Sequence, residues 1–298
     1  NLLAFIWARV LQVYPALIIA VIFCVFIVGW YFTVYPAFEY FSDSHTLKYL
    51  KRNVTLFNGV RYDLPGVFVD NPYKETVNGS LWTLPYEIKM YSYLAGIFLI
   101  IGVFGKRFGH QNHKIIFGCI GLAALLVDGF NHFYLFASAN ATHLFLMFFL
   151  GAAFYIYKEV VVLSARFFAL IVLLIGVSLF LHKGLFFILY SISLPYLIFY
   201  LAYVPEGFVR TFNGAGDYSY GIYIYAFPVQ QSLVSMIPGI SVGNVVMLSF
   251  CVTFVLAFIS WHLIEKKCLK LKNRYIGFDQ LVRNMYQKAV LSCRNIFG

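Results

Sequence analysis

Residues 10–35 read VLQVYPALIIAVIFCVFIVGWYFTVY, and this stretch decides the fold class. It holds no Asp, Glu, Lys, Arg or His, and its only helix-disfavouring interruption is Pro15 near the start. A helix rises about 1.5 Å per residue, so about 20 such residues cross the ~30 Å hydrocarbon core of a bilayer. The run is long enough to do so, and seven more apolar runs follow it. They are Leu81–Phe104, Ile115–Val127, Ala141–Tyr157, Phe167–Leu181, Leu185–Val204, Tyr218–Ile237 and Val242–His262. The expected fold is all-α, a polytopic transmembrane helical bundle of about eight spans. Ile115–Val127 is short and needs tilt or its flanking residues to reach across.

Composition agrees with that assignment. Hydrophobic residues make up 61% of the 298-residue chain and charged residues 11%, against about 25% charged in soluble domains. Mean hydropathy is +0.79. The net charge of +10 does not point to nucleic acid, because the basic residues sit in short clusters between apolar runs, as topogenic charge does. Aromatic residues are 20% of the chain, which interfacial belts explain in part. The five cysteines form no C-x-x-C pair and three lie inside apolar runs, so they read as small buried residues.

Lys and Arg in the short loops set the orientation. Lys106, Arg107 and Lys114 follow the second run, Lys158 and Arg166 the fourth, Arg210 the sixth, and Lys266, Lys267, Lys270, Lys272 and Arg274 the eighth. The intervening loops carry Lys183 alone. The positive-inside rule places the basic loops and both termini in the cytoplasm. The 36–80 segment is then external despite five basic residues, since long loops translocate regardless of charge. The domain organisation expected is one transmembrane domain over residues 1–265 and a basic cytoplasmic tail over 266–298. No signal peptide is visible, and the chain opens at Asn1 without a methionine, as a fragment that has lost its natural start does.

Ionisable residues inside apolar runs are the informative exceptions, because charge in lipid is expensive. Glu87 is the clearest, in Ser80-Leu81-Trp82-Thr83-Leu84-Pro85-Tyr86-Glu87. It needs a cation or a hydrogen-bond donor, and a structural tie between helices is as consistent with it as a functional role. Arg9 stands at the mouth of the first run, either as a snorkelling anchor or as a phosphate contact for a cytoplasmic donor. Of seven histidines, none shows H-E-x-x-H spacing, so no metal site is expected; His143, near the outer end of the fourth run, is the one candidate general base. There is no G-x-S-x-G elbow and no P-loop. N-x-S/T triplets at Asn53, Asn78 and Asn140 are common by chance.

Three segments together resemble one family. Arg9-Val10-Leu11-Gln12-Val13-Tyr14-Pro15-Ala16-Leu17, the block from Leu64-Pro65-Gly66 through Asn71-Pro72 to Val77-Asn78-Gly79-Ser80-Leu81-Trp82-Thr83-Leu84-Pro85-Tyr86-Glu87, and Gly216-Asp217-Tyr218-Ser219-Tyr220 to Gln231 with Trp261-His262-Leu263-Ile264-Glu265-Lys266 are similar to blocks of acyltransferase family 3. These are the membrane O-acyltransferases of bacterial surface glycans. The resemblance implies a bundle with one more helical pair than is counted here, about ten membrane helices. It implies transfer of an acyl group from cytoplasmic acyl-CoA, a donor substrate with no bound cofactor, to a saccharide hydroxyl outside the bacterial inner membrane. By the same resemblance, Arg9, Trp82, Tyr218, Ser219 and Tyr220 are substrate-binding positions, and Glu87 orients a base or binds the acceptor. The family's proposed catalytic His lies eleven residues after an Arg or Lys, and no Lys or Arg here has a His at that spacing. This chain is therefore expected to lack it. A transporter, or a catalytically inactive fragment, remains the alternative; no internal repeat of the kind transporters show is present.

Overall fold

Backbone N–H and C=O groups in lipid must be satisfied within the segment itself, which turns long apolar runs into helices. The computed structural model describes residues 2–104, 110–135, 140–207, 214 and 216–272, and each of the eight apolar runs lies on a helix there. In chain order these are α1 (Leu2–Phe23), continued by a π-helical turn (Cys24–Gly29) and one turn at Trp30–Phe32; α2 (Ala37–Ser42); α3 (Ser44–Thr55); and, after a 3-10 turn (Gly79–Thr83), α4 (Leu84–Phe104). Then come α5 (His110–Phe130) with a π turn (Asn131–Leu135), α6 (Asn140–Ile156), α7 (Ala165–Leu181), α8 (Lys183–Tyr203), α9 (Ser219–Met236) and α10 (Val242–Ser260) with a π turn (Trp261–Glu265). Among the described residues the only strand-like pairing is an isolated bridge between Thr33 and Val67.

Among the described residues, five runs are long and apolar enough to cross a bilayer: Leu2–Phe32, Gly79–Ile101, His113–Leu135, Lys183–Tyr203 and Val242–Lys272. α6 and α7 are apolar but have 17 residues each, about 25 Å of helix. The third run is longer than expected, because its helix begins at His110 and its π turn continues to Leu135, taking in Asp128 and Asn131. The last run stays helical past 265 to Lys272; the remainder of the expected tail, with Arg274, and the loop cations Lys106, Arg107 and Arg210 lie outside the described residues.

The chain divides into two compact units, Asn1–Tyr91 with Gly216–Gly298, and Ser92–Ala215. The core of the first is laid down by α1 and its π turn. Val13, Ala16, Leu17, Ala20, Val21, Cys24, Val25 and Val28 recur at helical spacing and are buried. They pack with Tyr40 of α2, Tyr49 of α3, the segment residues Leu64, Val67, Phe68 and Val77, and Ile224 and Tyr225 of α9. The Tyr40 hydroxyl donates to the Val25 carbonyl at 2.9 Å. A π turn displaces carbonyls from the regular ladder, and a buried hydroxyl takes up one of them. α9 and α10 approach closely where Gly221 faces Ala257: a Cβ at 221 would lie 2.8 Å from the Ala257 Cα.

The 36–80 segment is not the plain loop its composition suggests. α3 has Asp43 as its N-cap, whose side chain accepts from the His45 N–H, and ends at Leu56 in the left-handed region (φ 55°). Its inward face is made of Thr46, Tyr49 and Asn53. Asn53 brackets Arg61, donating to its carbonyl and accepting from its N–H, both at 2.8 Å. Gly66 (φ +67°) turns the chain against the Tyr35 ring, and its carbonyl accepts from the Val34 N–H. Asn53 and Asn78 are both fully buried, so those two N-x-S/T triplets are structural.

Arg61 grips Asp63 at 2.7 Å and also contacts His45 Nδ1 at 2.8 Å. Burial pushes the Asp63 carboxyl up, but its hydrogen bonds with Arg61 and the nearby positive charge outweigh that and hold it below its ordinary value. A depressed carboxyl stabilises the fold above its unfolded pKa and ceases to do so as pH falls through the folded one. Limited proteolysis of the segment is accordingly expected to speed up only in strong acid, below the ordinary carboxylate range. Asp63→Asn is expected to remove that acid step.

The second unit is built on two antiparallel helix pairs, α5 with α6 and α7 with α8. Phe117, Leu146 and Phe149 are buried between the first pair, where Gly121 sits against Ala153. The Tyr157 hydroxyl donates to the Lys114 carbonyl at 3.0 Å. The Tyr196 hydroxyl fastens the α6–α7 connection, donating to the Val162 carbonyl at 3.1 Å and accepting from the Ser164 N–H at 2.9 Å.

Candidate functional site

In the first unit, the segment preceding α4 is clamped onto α9 by side-chain amides and hydroxyls. Asn71 Nδ2 donates to the Gln231 carbonyl at 2.9 Å, and Gln231 Nε2 donates to the carbonyls of Tyr73 and Thr76 at 2.7 and 2.6 Å. Asn78 Nδ2 donates to the Ile224 carbonyl at 2.8 Å, while its Oδ1 accepts from the Ser80 N–H and so opens the 3-10 turn. The Tyr223 hydroxyl bonds to Thr83 Oγ1 and to the Ser80 carbonyl. Gly79 lies against the Phe227 ring, too close for any side chain of its own. The block read as most distinctive in the sequence is thus a fixed platform that launches α4.

That platform sets Glu87 in the first turn of α4, where the positive end of the helix favours a carboxylate. Glu87 Oε1 accepts from the Tyr91 hydroxyl, one helical turn on, at 2.5 Å. The Tyr91 ring lies 4.8 Å from the Arg9 guanidinium carbon, in cation–π range, and Phe5 lies 5.4 Å from the same carbon. Arg9 Nη1 donates to Gln12 Oε1 at 2.8 Å, while its buried Nε has no hydrogen-bond partner among the described residues. Arg9, Tyr91 and Glu87 therefore form one chain of contacts. Arg9 sits well inside α1, which begins at Leu2, and not at its mouth.

Tyr220 donates to the Val13 carbonyl at 2.9 Å and stands within electrostatic range of both Glu87 and Glu265. Glu265 is a buried carboxylate, 6% exposed, accepting from Ser260 Oγ at 2.6 Å. Trp82 packs edge-on to Tyr86 at 6.2 Å, and Lys89 lies over the Tyr86 ring at 5.5 Å. Tyr218 and Ser219 have structural occupations. Tyr218 is boxed by Phe254, Phe258, Trp261 and His262, and Asp217 Oδ1 accepts from both the N–H and Oγ of Ser219.

His143 belongs to the other unit, on the first turn of α6. Its Nδ1 lies 3.0 Å from Oδ2 of Asp128, a carboxylate of α5 that is 5% exposed. Thr142 Oγ1 donates to Asp128 Oδ1 at 3.0 Å and accepts from Asn131 Nδ2 at 3.2 Å. Sequence reading missed Tyr91, Asp128, Tyr223 and Glu265. The i to i+4 spacing of Glu87 and Tyr91 was the one signal available; Asp128 and His143 meet only because two helices pair. Among the described residues no three His, Cys, Asp or Glu side chains converge as a metal site.

The chain is similar to an O-acetyl transferase of Shigella phage Sf6. The two are 27% identical over 293 residues, spanning 94% of this chain and 81% of that protein, so the likeness runs through both units. No protein-family model and no solved structure matches the chain.

Proposed function

We propose that the chain is a membrane O-acyltransferase that moves an acyl group, acetyl on the simplest reading, from cytoplasmic acyl-CoA to a hydroxyl of a cell-surface saccharide. Lipopolysaccharide O-antigen and exopolysaccharide are the acceptors of that class. The observation that carries this is the similarity to the phage O-acetyl transferase across 94% of the chain, joined to five helices able to cross a bilayer. The site chemistry is compatible with it. Acyl transfer from a thioester needs cationic groups for the donor phosphates, dipoles for the developing oxyanion and a held acceptor. Arg9, with an unsatisfied Nε and three aromatic and polar neighbours, is the donor-side cation. Glu87, kept in one orientation by Tyr91, orients the acceptor or a base. Trp82 offers an aromatic face to a sugar, and Tyr220 holds α9 against α1 beside both carboxylates. Tyr218 and Ser219, at the start of α9, are further substrate-binding positions of this reading.

On this reading the protein lies in the bacterial inner membrane, with the basic loops and both ends of the chain cytoplasmic and the 36–80 segment outside, on the acceptor's side. The test is acetyl transfer in membrane vesicles given labelled acetyl-CoA at the cytoplasmic face. Label is expected in saccharide from vesicles carrying the protein. Vesicles that label no more than those without it would refute the proposal.

A further inference from the structure

The 31-residue apolar run Leu2–Phe32 is about 46 Å long as a helix, more than the hydrocarbon core of a bilayer and close to its full thickness of about 40–45 Å with headgroups. Its last turns therefore stand in a headgroup layer, where the exposed rings of Trp30, Tyr31 and Tyr35 suit the interface. The segment that follows does not rise away from that layer. Tyr40 of α2 reaches the Val25 carbonyl, about 10 Å back along the helix from Phe32, and Phe41 stacks on Phe26 at 5.6 Å. α3 packs against α1 as well, with Tyr49 buried in the same core as Cys24 and Val25. Both short helices thus lie beside the end of the span, at headgroup depth.

Their outward surfaces match that depth. Phe38, one turn from Phe41, is 85% exposed, Leu47 is 61% exposed and Phe57 85%. Large apolar side chains this bare suit a lipid boundary and not open water. Opposite Thr46, Tyr49 and Asn53, α3 presents Lys48, Lys51 and Arg52, spaced i, i+3 and i+4, so three like charges crowd one face. Among the described residues none of them meets a carboxylate: Lys48 Nζ donates to Ser44 Oγ at 3.4 Å and Arg52 Nη2 to the Asn58 carbonyl at 2.9 Å. Asp43 is committed to the α3 cap and Asp63 to Arg61. An anion from outside the chain would relieve the repulsion within the strip.

We propose that α2 and α3 form an interfacial anchor. Phe38, Leu47 and Phe57 enter the lipid boundary, and Lys48, Lys51 and Arg52 bind the phosphates of anionic phospholipids in the adjoining leaflet. The charge of the strip, its depth beside α1 and the apolar rings around it all fit that one occupant. The inference rests on α1 crossing the bilayer and is independent of the acyltransferase reading.

Hydrogen exchange at the amides of residues 44–57 tests it, with the whole chain in nanodiscs of phosphatidylcholine alone or mixed with phosphatidylglycerol. Exchange is expected to slow about tenfold or more in the anionic discs, since each cation near such a surface contributes about fivefold. The triple variant Lys48→Gln, Lys51→Gln, Arg52→Gln keeps the inward face of α3 and is expected to exchange alike in both discs. Equal exchange of the wild-type chain in both discs overturns the proposal. So does undiminished slowing in the triple variant, which would assign the effect to another site. Inorganic phosphate added to phosphatidylcholine discs is expected to slow nothing; slowing to match phosphatidylglycerol would make the strip a site for soluble phosphate and overturn the lipid assignment. If the triple variant does not accumulate, salt decides: the wild-type slowing must fade as ionic strength rises, and slowing that salt leaves intact overturns the proposal.

Discussion

Glu87→Gln is expected to lower acyl transfer about a hundredfold while leaving the protein's abundance in the membrane unchanged. The substitution keeps the side chain's size and one acceptor oxygen, so the Tyr91 hydroxyl still has a partner and α4 still has its first turn. What goes is the negative charge, and with it a charge-assisted hydrogen bond of about 1.5–3 kcal/mol and the orientation it fixes. A displacement of about 1 Å at a reacting group is worth about two orders of magnitude in rate. Tyr91→Phe leaves the charge but frees the carboxylate to rotate, so a smaller loss, about tenfold, is expected. Saccharide acetylation measured beside immunoblotted protein separates the cases. Wild-type transfer by Glu87→Gln would remove Glu87 from the mechanism, and a fall matched by lost protein would make it a helix tie.

The largest effect on stability is expected at Gly221. The Cβ of any other residue there would meet the Ala257 Cα at 2.8 Å and its Cβ at 2.9 Å, and the obstruction is backbone, which cannot rotate away. Gly221→Leu must push α9 from α10, opening the site where small residues let two helices touch. Overpacking of this kind costs about 1–3 kcal/mol, and the separated faces add lost contacts. Gly151→Ala in α6 is the control, since nothing lies within 4 Å of its new methyl. Helix propensity favours that change by about 0.8–1 kcal/mol. Thermal unfolding in detergent should therefore show a clear fall for the first variant and none for the second.

Much of this fold was legible in the apolar runs, because length and hydropathy are what a bilayer selects. The ends were not. The helix His110–Phe130 and its π turn absorb Asp128, Asn131 and His132, which composition assigns to a loop, since a helix tolerates polar residues once they find partners. α3 escaped notice because its buried face is Thr46, Tyr49 and Asn53, which a hydropathy pattern scores as surface. Within the site, Glu87 stood out as a carboxylate in an apolar run, but its partners did not. Tyr91 looked like one more interfacial aromatic, and Asp128 is brought to His143 by helix pairing across 15 residues of sequence. The two-unit division leaves no trace in composition at Tyr91–Ser92, which falls inside a continuous helix.

The proposed activity is acetylation of a surface saccharide. Mass spectrometry of surface glycans from otherwise identical cells with and without the gene tests it most directly. Acetyl groups that appear with the gene and vanish with Glu87→Gln are the predicted result; glycans identical in both cells would contradict the account.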